Sequence, residues 1–317
     1  MTDSNNGNAV APHSPAKWPL YKIKEQMTLQ SMIWPALLVL IVFGYFPMYG
    51  IVIAFKDYKI TSGFFGSPWV GLKHFAAFFT DPKLLDVMRN TLVLNVFGTA
   101  IGFSAPIILA VLITEMPSGP FKKTAQTISY LPHFLSWVIF TGLVLEMLRP
   151  SGVLSDICIA FGISKERINF MAQGIWFYPI YIIASLIKGV GFGSIIYVAA
   201  LSGVDQEIYE AATVDGCSRL RRIISISIPC ILGTVVIMLI LSVGSILNTG
   251  IEAILMFQNG LNLPYSETLD TYVYKVGMSQ GRFSYSTAVG LLKSVVSLFL
   301  LLFANWFSKK ITDRGLF

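Results

Sequence analysis

The side chains able to do covalent chemistry are few and scattered. The three histidines, His13, His74 and His133, lie far apart, and none falls into a Ser/His/Asp or paired-carboxylate arrangement. Cys158, Cys217 and Cys230 show no metal-ligand spacing and read as packing residues. The chain has no Gly-Lys dipeptide, hence no Walker A loop to cradle phosphates. Gly189, Gly191 and Gly193 alternate as in a phosphate loop, but they sit inside an apolar stretch, where small residues let helices approach closely. Gly98 and Gly102 read the same way. The polypeptide is therefore expected to catalyse no covalent reaction and to hold no metal.

A second set of residues is placed to do something other than catalysis. Lys188 and Lys293 are single cations in otherwise apolar stretches, and Glu115 and Glu146 fall near the ends of two more. An unpaired charge in a membrane is expensive, so each is a functional candidate. The lysines would suit an anionic ligand; snorkelling or pairing with polar backbone is the alternative. Ser242, Ser245, Asn248 and Thr249 recur along one apolar stretch, and Ser294 and Ser297 lie three apart in another. A polar stripe on an apolar helix faces water or a partner helix. These residues, with the two lysines, are the candidate substrate pathway.

The elements that carry them are long and apolar. Of 317 residues, 54% are hydrophobic and only 13% charged, about half the charged share of a soluble domain. A soluble enzyme, a disordered chain and a disulfide scaffold are all excluded. Residues 26–55, 90–114, 124–145 and 223–251 contain no Asp, Glu, Lys or Arg, and 176–200 and 285–307 contain one lysine each. A helix needs about 20 apolar residues to cross the hydrocarbon. Six spans are expected at 32–55, 91–115, 127–148, 176–200, 229–250 and 285–307, helical because the runs do not alternate.

Residues 1–31 are expected to form a polar tail with no cleaved signal peptide, followed by the membrane domain 32–307 and a short tail 308–317. Six spans place both termini on one side. Lys122 and Lys123, Arg219, Arg221 and Arg222, and Lys309 and Lys310 crowd that side close to the spans and favour termini inside. The outer connections 56–90, 149–175 and 251–284 are long and mix aromatic with polar residues. They suit either headgroup anchoring or docking of an external partner.

The connection 201–228 differs in kind. It is polar, Gln206 to Asp215 favours helix, and Gly216 sits where a helix stops; a basic stretch then leads to Pro229. Helix, glycine, helix makes a protruding knob, better suited to transmitting force than to chemistry.

At this loop the chain resembles a known family. Glu210-Ala211-Ala212, three residues, Gly216 after Asp215, nine residues, Ile226, one residue, then Ile228-Pro229 resembles the EAA loop of ABC importer permeases. Ile228 stands where the family has Leu. Trp69-Val70-Gly71-Leu72, Asn90-Thr91, Tyr130-Leu131-Pro132, Ser136-Trp137 and Pro150-Ser151-Gly152 resemble its carbohydrate-uptake branch. So do Leu269 to Tyr274, Tyr285-Ser286 and Gly290 to Ser294. The likeness runs from Met32 to Phe317 and is closest to permeases for complex saccharides, including acidic ones of the alginate type.

The resemblance implies an all-α type I permease fold in a bacterial inner membrane, with both termini cytoplasmic. It implies four kinds of partner: a second, related permease forming a heterodimer, two cytoplasmic ABC ATPases that bind ATP and Mg, a periplasmic solute-binding protein, and lipid; nucleic acid is not expected. Glu210 would make a polar contact with an ATPase, Ala211 and Ala212 would pack closely, and Gly216 would form the turn. Pro229 would set the angle into the fifth span. A secondary transporter is the main rival, but the sequence shows no internal repeat.

Overall fold

The structure, a computed structural model, describes residue 27 and residues 30–312. The expected tails therefore lie largely outside the described residues. The chain forms two units, residues 1–52 and 53–317. In the first, the helical span α1 (Trp34–Phe55) begins and continues into the second. Within α1 a π-helical stretch, Leu40–Tyr45, gives way to a 3-10 stretch, Phe46–Phe55, at Pro47, whose ring and missing N–H break the regular ladder.

The second unit is helical too. In order it contains α2 (Lys73–Phe79), α3 (Leu84–Glu115), α4 (Pro120–Phe134), α5 (Trp137–Leu148), α6 (Val153–Ala160) and α7 (Phe177–Ser202). After these come α8 (Gln206–Val214), α9 (Arg219–Cys230), α10 (Leu232–Gly244), α11 (Ile251–Phe257), α12 (Leu269–Tyr274) and α13 (Phe283–Thr312). Among the described residues five helical stretches are long and apolar enough to cross a membrane, and the bent pair α9–α10 makes a sixth.

Several boundaries depart from expectation. The third span starts at Trp137, not 127, because α4 is a separate helix. Pro132 lies in its last turn, Leu135 is extended, and the hydroxyl of Ser136 caps the new helix by accepting from the Ile139 N–H at 3.3 Å. The crossing that follows, Trp137–Ala160, passes through an extended Arg149 before Pro150.

The fifth span does not begin afresh at Pro229. Helix α9 runs from the loop through a π turn, Ile223–Ser227, and meets α10 at Ile231 with a bend of 65°. Pro229 has no N–H to give the Ser225 carbonyl, so the ladder is interrupted in the π turn just before it. Helix α10 then stops at Gly244, six residues short of the expected end.

Helix α3 threads three buried clusters. At its start Val87 joins Phe78, Tyr272 and Tyr285; midway Leu94 meets Phe140, Phe177 and Phe257; near its end Ala110 and Val111 meet Tyr197, Leu201 and Ile231. Close approach depends on two of the expected glycines. A Cβ at Gly191 would lie 1.8 Å from the Ser129 carbonyl oxygen, and one at Gly193 would lie 3.2 Å from the Pro106 ring. Gly98, Gly102 and Gly189 are different: a Cβ there would meet nothing within 4 Å. They border a cavity of about 230 Å³ rather than a tight contact.

Candidate functional site: the coupling loop and the polar pathway

The knob is built by local rules. Asp205 caps α8 by accepting from the Glu207 N–H at 3.0 Å. At the other end Cys217 donates to the Ala212 carbonyl and Gly216 to the Thr213 carbonyl, the paired bonds of a Schellman motif. That motif requires a left-handed residue, and Gly216 has φ +69° with open space around it. Ser218 then caps α9, accepting from Arg221 N–H at 3.4 Å.

Glu210, Ala211, Asp215 and Gly216 are exposed and Ala212 half-buried. Val214 and Leu220 stand 88% and 69% exposed on the same knob. Ile226 is half-buried in the π turn, and Pro229 is exposed just before the bend.

Beneath the knob lies a truss that the sequence reading missed. The Arg222 guanidinium contacts the Glu115 carboxylate, the last residue of α3, at 2.6 Å, with about a fifth of each side chain exposed. It also lies 5.7 Å from the centre of the Tyr209 ring on α8. The Tyr209 hydroxyl reaches the Ser227 hydroxyl at 3.1 Å. Glu115, Tyr209 and Arg222 border a polar cavity of about 420 Å³. The separations of Glu115, Tyr209 and Arg222 in sequence carry no periodic signal, so only the fold reveals the group.

The two membrane lysines are both committed internally. Lys188 is 7% exposed and donates to the backbone carbonyls of Pro132 (3.2 Å), His133 (3.0 Å) and Leu135. It closes the C-terminal end of α4, where carbonyls lack helical partners and the dipole is negative. The Trp137 and Phe140 rings flank the ammonium at 5.2 and 5.7 Å. Lys293 pairs with Asp270. The other oxygen of Asp270 accepts from the N–H and hydroxyl of Thr249, both at 2.9 Å, and the Thr249 carbonyl accepts from Tyr181 at 2.7 Å.

The serines divide. Ser242 and Ser245 border a cavity of about 190 Å³ together with Thr99 and Pro106. Ser294 is exposed and donates to the Gly290 carbonyl at 3.0 Å, and Asn248 is exposed. The Ser297 hydroxyl is buried and makes no hydrogen bond. Thus Ser242 and Ser245 come together, as do Thr249 and Lys293; Lys188 is elsewhere.

On the outer connections Asp81 accepts from the hydroxyls of Tyr272 and Tyr285 (2.7 Å) and from the Lys83 N–H at 2.9 Å. Burial alone would raise its pKa. The hydrogen bonds from Tyr272, Lys83 and Tyr285, with the nearby charge of Arg282, outweigh this and hold it below the usual carboxylate value. Tyr272 is pushed up to about 12, first by burial and then by its bond to Asp81. The Asn90-Thr91 pair proves to be a fastener. Asn90 donates to the carbonyls of Pro264 (3.0 Å) and Glu267 (2.9 Å), and Thr91 accepts from the Leu269 N–H at 2.8 Å. Among the described residues no cluster of His, Cys, Asp or Glu is arranged to hold a metal ion.

A polytopic helical membrane unit bearing an exposed helix–glycine–helix knob is the architecture of an importer permease. The chain belongs to the family described as binding-protein-dependent transport system inner membrane component, whose model matches residues 102–313. It is a multi-pass permease subunit of an ABC importer, in which partner ATPases, not this chain, bind ATP. The polygalacturonan/rhamnogalacturonan transport system permease protein YteP of Bacillus subtilis (strain 168) is 43% identical over 94% of this chain and 92% of its own. Protein LplB of the same organism is 41% identical over 93% and 92%.

A crystal structure of a bacterial ABC transporter involved in import of the acidic polysaccharide alginate matches with TM-score 0.83 and 37% identity, over 92% of this chain and 99% of that one. A second structure shows the bacterial alginate transporter with an alginate pentasaccharide-bound periplasmic protein. It matches with TM-score 0.84 and 36% identity, over 93% and 99%. These matches establish the type I importer permease fold for this chain.

Proposed function

We propose that this permease imports oligosaccharides cut from acidic, uronate-containing polysaccharides and delivered by a solute-binding protein. The observation that carries the reading is that relatives similar over more than nine-tenths of the chain are named for polygalacturonan and for alginate, both polymers of uronic acids. The working complex would hold a second, related permease and two ATPases, with both termini of this chain in the cytoplasm. The knob would seat in an ATPase cleft. Glu210 makes a polar contact there, Ala211 and Ala212 allow close approach, and Asp215 with Gly216 fixes the turn. Ile226 packs the exit of the knob, and Pro229 sets the direction into α10.

ATP binding draws the knobs together and opens the bundle outward; hydrolysis and release return it inward. ATP and the loaded binding protein each act by binding one state better than the other. Ser242 and Ser245, on the small cavity beside α3, are the pathway residues this reading favours. Lys188 and Lys293 support the bundle, so discrimination of charge falls to the binding protein, the partner permease or exposed groups.

The test is reconstitution of the full complex in liposomes with its binding protein. ATP hydrolysis rising with uronate oligosaccharides, and not with neutral ones of equal length, supports the reading. Stimulation by neutral oligosaccharides alone overturns it.

A further inference from the structure

We infer that Arg222 and Glu115 form a strut through which the coupling knob drives α3 directly, in addition to the route through α9 into α10. This rests on the reading of the loop as the ATPase-coupling element.

The knob is joined to the spans covalently at both ends: residues 203–205 link it to α7, and α9 continues through the π turn into the bent α10. The truss is a third, non-covalent attachment. Arg222 bonds Glu115 at 2.6 Å and lies over the ring of Tyr209, which itself reaches Ser227. One guanidinium therefore ties the α8 helix, the α9 helix and the final residue of α3. A partly buried, charge-assisted contact of this length is stiff and directional, unlike an exposed pair.

What the strut pushes on is a long rod. Helix α3 has 32 residues, a span of about 48 Å at 1.5 Å per residue. Near its far end Asn90 and Thr91 bond the backbone of residues 264–269 in the last outer connection. The same helix is thus fastened to the knob at one end and to an outer connection at the other. A displacement imposed by the ATPase at α8 reaches the outer face along one element. In reverse, an event at the outer face reaches the ATPase. Arg222 and Glu115 are positioning residues: they touch neither sugar nor nucleotide.

The test uses the full complex in liposomes, comparing ATP hydrolysis with and without loaded binding protein. Glu115→Gln and Arg222→Gln should keep the subunits assembled and basal hydrolysis intact. Stimulation by the loaded binding protein should fall about five-fold or more, the scale of an ordinary coupling energy. The exchange Glu115→Arg with Arg222→Glu should recover most of the stimulation, which a purely local packing role would not predict. Full stimulation in both single variants overturns the strut.

Glu210→Ala is the control that separates the two levels. If it uncouples while the strut variants do not, only the strut fails; if it too leaves stimulation intact, the coupling-loop reading fails. Should the single variants not assemble, a second measurement decides. In a background with Cys158, Cys217 and Cys230 replaced by Ser, Glu115→Cys and Arg222→Cys are joined by a short bifunctional thiol reagent. Retained stimulation supports a strut that stays closed through the cycle, and lost stimulation overturns it.

Discussion

The ammonium of Lys188 lies 3.0 Å from the backbone carbonyl of His133, on another helix and 55 residues away. A cation that the sequence offers either to an anionic substrate or to polar backbone lies at the C-terminal end of α4 with three backbone carbonyls. Of the three carbonyls it serves, that of Pro132 also accepts from the Leu135 N–H at 3.3 Å, while those of His133 and the extended Leu135 lie where the helical ladder has ended.

Replacing that cation should cost stability and not specificity. Lys188→Met is expected to destabilise the protein by about 1–2 kcal/mol, since it removes a charged donor from partly buried carbonyls. Thermal unfolding in detergent measures this. Half-saturation for an acidic oligosaccharide should not move; a rise in that value without loss of stability would return Lys188 to the pathway.

The Lys293–Asp270 pair makes an asymmetric prediction. Lys293→Met strands the partly buried Asp270 carboxylate and should cost about 1–3 kcal/mol, below the penalty for breaking a fully buried pair. The double variant Lys293→Met, Asp270→Asn should recover part of this, because the amide can still accept from Thr249. Equal losses in single and double variants would show that the charge pairing itself contributes nothing.

At Gly216 the constraint is the backbone. With φ +69° and nothing within 4 Å of a built Cβ, Gly216→Ala should cost about 1–2 kcal/mol through the left-handed conformation alone. Gly216→Asn should cost less, and Gly216→Pro should abolish the turn. ATP hydrolysis stimulated by the loaded binding protein should fall in the same order, and an unaffected Pro variant would remove the turn from coupling.

The outer cluster gives a pH window. The Asp81 pKa is lowered from 3.8, so the stability it contributes is complete above that value and is lost as pH falls through the folded-state pKa below it. Tyr272 is raised from 10.0 to about 12, so its contribution is complete below pH 10 and is lost as pH rises through about 12. Thermal stability should therefore be level between about pH 5 and 9 with respect to this pair. Asp81→Asn should remove their acid limb and leave the alkaline one weakened; an unchanged acid limb would assign it to other carboxylates.

What could be read in advance follows from the range of the interactions. The four charge-free stretches and the two with a single lysine mark the spans because lipid demands about 20 apolar residues in a row, a purely local requirement. Glu210, Gly216 and Pro229 were legible because a capped helix, a left-handed turn and a missing donor are set within a few residues. The start of α5 at Trp137 was not, since residues 124–145 carry no Asp, Glu, Lys or Arg to mark a boundary. The signals that end α4, Pro132 and Ser136, lie inside that run. Arg222 with Glu115, and Asp81 with Tyr272 and Tyr285, join residues 107 to 204 positions apart. No period or spacing reports such a contact, so the truss and the outer cluster appear only once the chain is folded.

The bend at Ile231 makes α9 and α10 a bell-crank. Its arms are about 18 and 20 Å long at 1.5 Å per residue, so they are nearly equal. A lever of that proportion neither magnifies nor diminishes a stroke; it turns it, here through 65°. On the proposed reading of the knob as the ATPase contact, a stroke of a few ångströms delivered there would arrive at α10 undiminished and redirected, its size set by the ATPases rather than by the linkage.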